Sequence, residues 1–429
     1  MKTNISLILS LTLIAGIAKA QFTLSGEIRP RTEYAHGYKT LAFTDQEPAL
    51  FTSQRSRLNF LYSDSSYNLY ICLQDVRTWG SVPQMTSTDG NTTTIHEAWG
   101  DINLNEKWGL KLGRQEIALD DQRIFGSVGW AQQARSHDAA ILHYKNADKK
   151  VKLQLSAAYN QNANNLTGNA YAMPGSYKTF QYLWLSKEIK SVNISLLALN
   201  LGKDVIRPLS HRTVFSQTVG TRVSYKKDKG SVNAAYYHQL GKVGDLMGRD
   251  LNAQLISLDG TLNLSKKIAT TVGYEYMSGQ SQTEEIADGE YGNTLRSFSP
   301  FFGTNHKFNG FMDYFYVGNH SNSVGLLDIN ANLKYKSGKF SMALMPHIFN
   351  SAANIIDGAG VSADNYLGTE IDFTIGYKLS KNIMFNAGYS QLFASESMEI
   401  LKGGDSDHGQ NWGWAMLTFK PKFFSTTLE

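Results

Sequence analysis

The sequence predicts an all-β protein, a transmembrane antiparallel β-barrel of about 18 strands with short periplasmic turns and long extracellular loops. Three observations support this prediction. Apolar and polar residues alternate with period two over many segments of roughly ten residues. Short and long connections alternate between those segments, and the chain begins with an apolar stretch typical of secretion. After residue 20, no apolar run approaches the roughly 20 residues that a membrane-spanning helix needs.

The alternation is clear in the segment 327–349. Leu327, Ile329 and Leu333 share one parity, whereas Asp328 and Asn330 share the other. A soluble sheet with one wet face produces the same pattern, so one hairpin does not decide between the two folds. Repetition of the pattern along the chain favours the barrel, because only a helix or a closed barrel pairs every backbone polar group within hydrocarbon.

Residues 1–20 have the features of a signal peptide. Lys2 supplies the positive charge, an apolar run follows, and Ala18-Lys19-Ala20 resembles a cleavage site. We therefore expect the mature chain to begin at Gln21 and residues 21–429 to form a single outer-membrane β-barrel domain. Cys72 is the one cysteine, so an intrachain disulfide is excluded.

About eighteen strand-like segments follow the signal peptide. They span residues 22–34, 53–62, 67–77, 95–104, 108–117, 138–146, 151–160, 178–187, 192–200, 216–226, 230–240, 251–263, 267–278, 324–336, 339–349, 367–378, 382–393 and 410–420. The long polar connections include 118–137, 201–215 and 279–323. The last of these is the longest, and we expect it either to fold into the barrel or to form a mobile surface loop.

Composition and motifs exclude several classes of function. The formal net charge of +4 does not indicate a nucleic-acid partner. The sequence contains no phosphate-binding loop, dinucleotide fingerprint or paired-cysteine zinc motif, so we predict no cofactor and no metal site. His306 and Asp313 lack a nucleophile at a convincing spacing, so we predict no catalytic residues and no enzyme. An outer-membrane barrel enzyme stays as the least favoured alternative.

Arginines are concentrated on one parity of the first two strands. Arg29 and Arg31 take the parity opposite Leu24 and Ile28 in the first strand, and Arg55 and Arg57 take the parity opposite Leu58 and Phe60 in the second. Because neighbouring strands form a hairpin, the four side chains should lie close together on the lumen wall. The planar guanidinium group suits carboxylates, so the cluster indicates an anion path. Alternatively, the arginines only brace the wall through ion pairs with glutamates. Further pore-lining candidates are Arg114, Arg123, Arg135 and Arg222.

Two segments have a less regular pattern. In the segment 108–117, Leu110 and Leu112 share the parity of Arg114, and in 67–77 the apolar residues share the parity of Asp75 and Arg77. Either the strands leave the membrane at those points or a β-bulge shifts the register.

Three stretches carry a resemblance to a known family. They are residues 74–80, 112–126 and 303–314, and together they resemble the alginate export family of outer-membrane proteins. The resemblance covers nearly the whole mature chain. It implies a barrel of about eighteen strands with an arginine-rich lumen that passes an anionic polyuronate.

From these observations we expect a passive channel in the outer-membrane lipid of a Gram-negative bacterium. The expected solutes are anionic, carboxylated sugars or a polysaccharide such as alginate. The resemblance implies a monomer, and an exporter would work with periplasmic export partners. The alternative is a general diffusion porin with little solute specificity, in which the lumen charges are structural.

Overall fold

The structure is a computed structural model that describes residues 20–85, 93–171, 173, 175–207, 210–283 and 293–428. The predicted signal peptide, except for Ala20, lies outside the described residues. Part of the predicted connection 279–323 does so as well.

The described chain is built almost entirely from antiparallel strands. They are β1 (Ala20–His36), β2 (Ala49–Ser63), β3 (Tyr67–Thr78), β4 (Thr93–Asn103), β5 (Trp108–Gln115), β6 (His137–Lys145), β7 (Val151–Tyr159), β8 (Thr179–Ile189), β9 (Val192–Arg207), β10 (Ser210–Lys227), β11 (Gly230–Lys242), β12 (Asp250–Asn263), β13 (Ile268–Met277), β14 (Thr294–Leu295), β15 (Leu326–Ser337), β16 (Phe340–Asn350), β17 (Tyr366–Lys378), β18 (Ile383–Ala394), β19 (Gln410–Phe419) and β20 (Lys422–Leu428). Two short α-helices, α1 (Val317–His320) and α2 (Glu396–Lys402), and a 3-10 helix at Asn305–Lys307 lie in connections at the long-loop end.

Eighteen of these strands form a closed barrel, which confirms the predicted fold class. Each barrel strand pairs with the next along the chain, and β1 pairs with β19 to close the sheet, with Ile28 opposite Phe419. The two-residue strand β14 makes only a short parallel pairing with β12. Beyond Pro421, β20 continues the line of β19 and also pairs with β1.

The two faces of the wall have opposite polarity. Val272 and Leu258 on the outer face are 61% and 52% exposed, whereas Asp328 and Glu370 on the inner face are fully buried. A soluble sheet would place these residues the other way round, so the wall suits lipid outside and polar groups inside. In the part of the chain that the structure describes, no helix has the length and apolar character to cross a membrane.

Two boundaries differ from the predicted ones. The predicted polar connection 201–215 is largely strand, since β9 runs to Arg207 and β10 starts at Ser210. Polar residues continue the ladder there because the hairpin is long enough to leave the hydrocarbon region. The last strand also extends past its predicted end at residue 420, because β20 adds pairs with β1 as far as Leu428.

The barrel interior at the long-loop end is filled by inward-folded connections. We call the connection 116–136 the first inward loop and the connection 293–325 the second inward loop. Phe125 in the first, and Met312 and Tyr314 in the second, are completely buried inside the barrel. The second inward loop was expected either to enter the barrel or to lie on its surface, and the structure places it inside.

Helix α1 is fixed within the second inward loop by a buried histidine. His320 Nε2 lies 2.9 Å from the Gly325 carbonyl oxygen, and Lys402 Nζ on α2 lies 3.2 Å from His320 Nδ1. This geometry suits a neutral imidazole, whose Nε2–H donates to the carbonyl and whose Nδ1 accepts from the lysine.

Candidate functional site

The four arginines predicted on the first two strands lie together on the inner wall. In the β1–β2 register, Arg29 is directly opposite Arg55, and Glu27 is opposite Arg57. Directly opposite residues project from the same face of a sheet, so the four guanidinium groups face the lumen as one cluster. Sequence parity was sufficient to find this cluster.

Arg29 holds the first inward loop by its backbone. Its guanidinium donates to the carbonyl oxygens of Gly129 at 2.8 Å and Trp130 at 3.1 Å, and to Gln132 Oε1 at 2.9 Å. A cation that satisfies several carbonyls fixes the loop and offsets the loss of water around those groups.

The other three arginines differ in how far their donors are occupied. Arg31 donates to the Trp130 carbonyl oxygen at 2.8 Å and pairs with Glu33. Arg55 forms a buried ion pair with Glu27. Among the described atoms, Nη2 of Arg57 has no hydrogen-bond partner, although its Nε donates to Gln74. Arg57 is therefore the member of the cluster with an unpaired donor, and this Nη2 is itself buried.

The two inward loops are joined where they meet. The Gly126 amide donates to the Phe302 carbonyl oxygen at 2.8 Å, and the Thr304 amide donates to the Gln122 carbonyl oxygen at 2.9 Å. The Thr304 hydroxyl also donates to the Gln122 side chain at 2.9 Å. The loops therefore form a single constricting layer across the barrel.

The second inward loop is fixed to the inner faces of β15 and β17 by acidic residues. The Met312 amide donates to Glu370 at 2.8 Å, and the Phe311 amide donates to Asp372 at 3.2 Å. Beside them, the Asn309 side chain donates to Asp328 at 3.1 Å. The constriction thus has guanidinium groups on β1 and β2 and carboxyl groups on the nearby strands β15 and β17, and both groups of side chains bind loop backbone.

The remaining arginine candidates occupy different environments. Arg123 is buried in an ion pair with Glu275, and Arg222 pairs with Asp121 at 3.0 Å. Arg135 donates to the Gly303 carbonyl oxygen at 3.2 Å. Arg222 and Arg135 face the barrel interior, whereas Arg123 is enclosed between wall and loop.

Arg114 was predicted to line the pore, and this prediction is wrong. It lies opposite Asp138, with which it forms an ion pair at 3.0 Å, and its side chain is 43% exposed. Leu112 on the same face is exposed to the outside of the barrel, so Arg114 is on the outer surface. The β4–β5 and β5–β6 ladders run here without a shift in register, and the parity shared with Leu110 and Leu112 already indicated the outer face.

An aromatic cluster at the junction of the loops was not anticipated as a unit. The His306 ring stacks on Trp130 at 4.5 Å between centroids and on Phe311 at 5.1 Å. His306 Nδ1 lies 2.9 Å from Asp313. Burial works to raise the pKa of the Asp313 carboxyl, but His306 and the Tyr38 hydroxyl bring it below its ordinary value. No described hydroxyl or thiol bonds to His306, and the cluster packs the junction.

One described group has the composition of a metal site. A register shift between β3 and β4 leaves His96 as an extra residue, so that His96, Glu97 and Glu116 place ligand atoms within 4.8 Å of one another. His96 Nε2 already lies 2.8 Å from Glu116, and Arg57 Nη1 lies 3.9 Å from the same oxygen. The guanidinium supplies positive charge at this position, so we assign no metal to it.

The closed antiparallel wall, its apolar outer face and its constricted polar lumen define an outer-membrane β-barrel channel. The sequence profile of the alginate export family matches residues 21–408, and the chain belongs to that family. No curated protein sequence matches the chain.

Solved structures with the same fold include OccAB4 of Acinetobacter baumannii, with 10% identity and a TM-score of 0.62 over 94% of this chain and 98% of that one. Pseudomonas aeruginosa OccK2, solved in complex with glucuronate, has 11% identity and a TM-score of 0.62 over 94% and 97%. Pseudomonas aeruginosa OpdO has 12% identity and a TM-score of 0.61 over 94% and 98%.

Proposed function

We propose that this channel passes carboxylated sugars passively across the outer membrane, as monomers or short oligomers of the sugar. The observation that carries the proposal is the cluster of Arg29, Arg31, Arg55 and Arg57 on the wall beside the constriction. A group of fixed guanidinium charges favours anions, and solutes must bind well enough to enter and weakly enough to leave. The glucuronate in the OccK2 structure agrees with this class of solute.

We limit the proposed solutes to short sugars because the two inward loops are joined across the lumen and would obstruct a polymer. A polymer such as alginate would need the hydrogen bonds between Gly126 and Phe302 and between Gln122 and Thr304 to open. We further propose that the protein works as a monomer. Residues 1–20 would direct its export as a signal peptide and then be cleaved. Periplasmic export partners would be expected only if the channel exported a polymer such as alginate.

A general diffusion porin is the second candidate, and one observation favours it. Most arginine donors in the cluster are occupied by loop carbonyl oxygens or by Glu27 and Glu33. In that alternative the arginines only hold the loop and the wall, and solute charge has little influence on passage.

Ion selectivity separates the two candidates. The test compares wild type with Arg57→Gln, which removes the charge that has a free donor and no bond to a loop carbonyl. Arg114→Gln is the matched control, because that arginine is on the outer surface. We expect an anion-selective reversal potential in a planar bilayer under a salt gradient, reduced in Arg57→Gln and unchanged in Arg114→Gln.

Liposome swelling provides the solute readout. Glucuronate should enter faster than glucose through wild type, and the difference should shrink in Arg57→Gln. Equal entry of both sugars, with a reversal potential that neither variant changes, would show a general diffusion porin and overturn the proposal.

A further inference from the structure

A separate cavity of ≈ 580 Å³ lies on the long-loop side of the constriction. It is partly open and is bounded by the inner faces of β9 to β12, where Leu201 and Gln239 line it, and by both inward loops. Gln239 fixes that loop, since its side chain donates to the Ser299 carbonyl oxygen at 2.7 Å and accepts from the Ser299 amide at 3.0 Å. The volume is within the range of sites for small molecules.

Three residues that line the cavity carry polar atoms without a partner. His137 Nε2, Ser297 Oγ and Asn305 Oδ1 are buried, and each lacks a hydrogen bond within the described protein. His137 uses its other ring nitrogen, which lies 2.9 Å from the Tyr177 hydroxyl, so Nε2 is unpaired in either tautomer. An unsatisfied buried polar group costs about 1–3 kcal/mol, so these side chains leave hydrogen-bonding capacity unused next to the cavity.

Two cations also line the cavity without an acidic partner. Neither Arg135 nor Lys203 forms an ion pair with a carboxylate of the described residues. Burial lowers the pKa of the Arg135 guanidinium to about 10, which reflects a charge removed from water without an anion beside it. Asp245, which also lines the cavity, is paired with Arg249 at 2.7 Å and so does not neutralise them.

Aromatic rings supply the apolar part of the lining. Phe301 and Phe302 face the cavity, and Lys203 Nζ lies 5.7 Å from the Phe301 ring centroid. The Phe302 ring packs edge-on against His137 at 5.1 Å, which fixes both rings. A saccharide has both hydroxyl groups and apolar C–H faces. A carboxylated saccharide also supplies a negative charge to pair with Arg135 and Lys203.

We propose that this cavity is a capture site for one carboxylated mono- or disaccharide on the extracellular side of the constriction. Arg135 and Lys203 hold the carboxylate, and the rings of Phe301 and Phe302 pack against the C–H faces of the sugar. The identity of the solute rests on the function proposed above. The site itself is distinct from the arginine cluster on β1 and β2, and its position favours uptake of short sugars from outside.

Equilibrium binding tests the site separately from transport. Glucuronate and glucose would each be titrated calorimetrically into the purified full-length protein in detergent. We expect glucuronate to bind at least about tenfold more tightly than glucose, and Arg135→Gln or Lys203→Gln to weaken glucuronate binding about tenfold or more. Lys242→Gln is the matched control, since Lys242 lines the same cavity but is paired with Asp250 at 2.7 Å. Its binding should equal that of wild type.

A second comparison separates failure of the site from failure of the proposed function. Arg57→Gln should reduce the anion selectivity of the channel, whereas Arg135→Gln should weaken equilibrium binding of glucuronate. Arg135→Lys, which keeps the charge, should bind more tightly than Arg135→Gln. Absence of glucuronate binding to folded wild type, or equal binding of glucose, would mean that only water fills the cavity and would overturn the proposal. Retained binding with no ion selectivity would overturn the proposed function alone.

Discussion

Replacement of Arg29 by Ala should release the first inward loop from the wall. The guanidinium bonds three consecutive carbonyl oxygens, those of Gly129, Trp130 and Ala131, and also the side chain of Gln132. Alanine can make none of these bonds. The fold of the wall should survive, because the β1 backbone ladder does not depend on the side chain.

The size of the effect follows from the bonds that remain. Hydrogen bonds to a charged group contribute about 1.5–3 kcal/mol each, and bonds from one side chain are not additive. Arg31 still donates to the Trp130 carbonyl oxygen at 2.8 Å, and its guanidinium lies 4.1 Å from the Trp130 ring centroid. We therefore expect a net weakening of loop attachment of about 2–3 kcal/mol, which raises the detached population about 30- to 150-fold.

Single-channel recording in a planar bilayer detects such a change directly. Arg29→Ala should show larger conductance or frequent transitions to a larger open level, because the loop no longer holds its place in the lumen. Arg114→Ala is the control, since it removes an arginine of the outer surface that contacts neither inward loop. If folded Arg29→Ala conducts with the same level and noise as wild type, the arginine does not anchor the loop and the reasoning is wrong.

Three further predictions concern the loops and their anchors. Burial lowers the pKa of His320 to about 3, so the released loop binds a proton more tightly than the docked loop. Docking of the loop is therefore fully stable above about pH 6.5 and should weaken by about 2 kcal/mol at pH 5. Hydrogen exchange should show this as a loss of protection at pH 5 that the His320→Gln variant does not show. Gly310 has a φ of +81°, and a Cβ at this position would lie 2.6 Å from the Glu370 carboxylate. Gly310→Ala should therefore displace the second inward loop and lower the melting temperature of the protein. An unchanged melting temperature would contradict this close contact. Glu275→Gln should destabilise the protein by about 3–5 kcal/mol in denaturant unfolding, because it leaves the buried Arg123 without its counter-charge; a loss below about 1 kcal/mol, as expected for an exposed pair, would contradict the burial.

Sequence parity was informative wherever a side chain's position depends on its own strand. Each barrel strand has one lipid face and one lumen face, so Arg29, Arg31, Arg55 and Arg57 could be assigned to the lumen before any neighbour was known. The same rule placed Arg114 with Leu110 and Leu112, and taking it as a pore-lining residue ignored that signal.

Features that depend on distant partners could not be read from the sequence. The bond between Thr304 and Gln122 joins positions 182 residues apart, and no local pattern specifies that the two loops meet inside the barrel. The inward position of His96 depends on a register shift against β3, which only the paired strands reveal. The cavity beside Arg135 likewise exists because four strands and a loop come together.

The closing seam of the barrel has a consequence for how the chain folds. Gln21 on β1 bonds Ser425 on β20, 404 positions away in sequence, so this pairing requires one of the longest loop closures available to the chain. All the strand pairings of the barrel wall outside this seam join residues that are much nearer to each other in sequence. We therefore expect closure to be a late and slow event, preceded by an open, twisted sheet. Until β19 and β20 dock, the free edge of β1 can pair with another chain, and aggregation competes with closure for that edge.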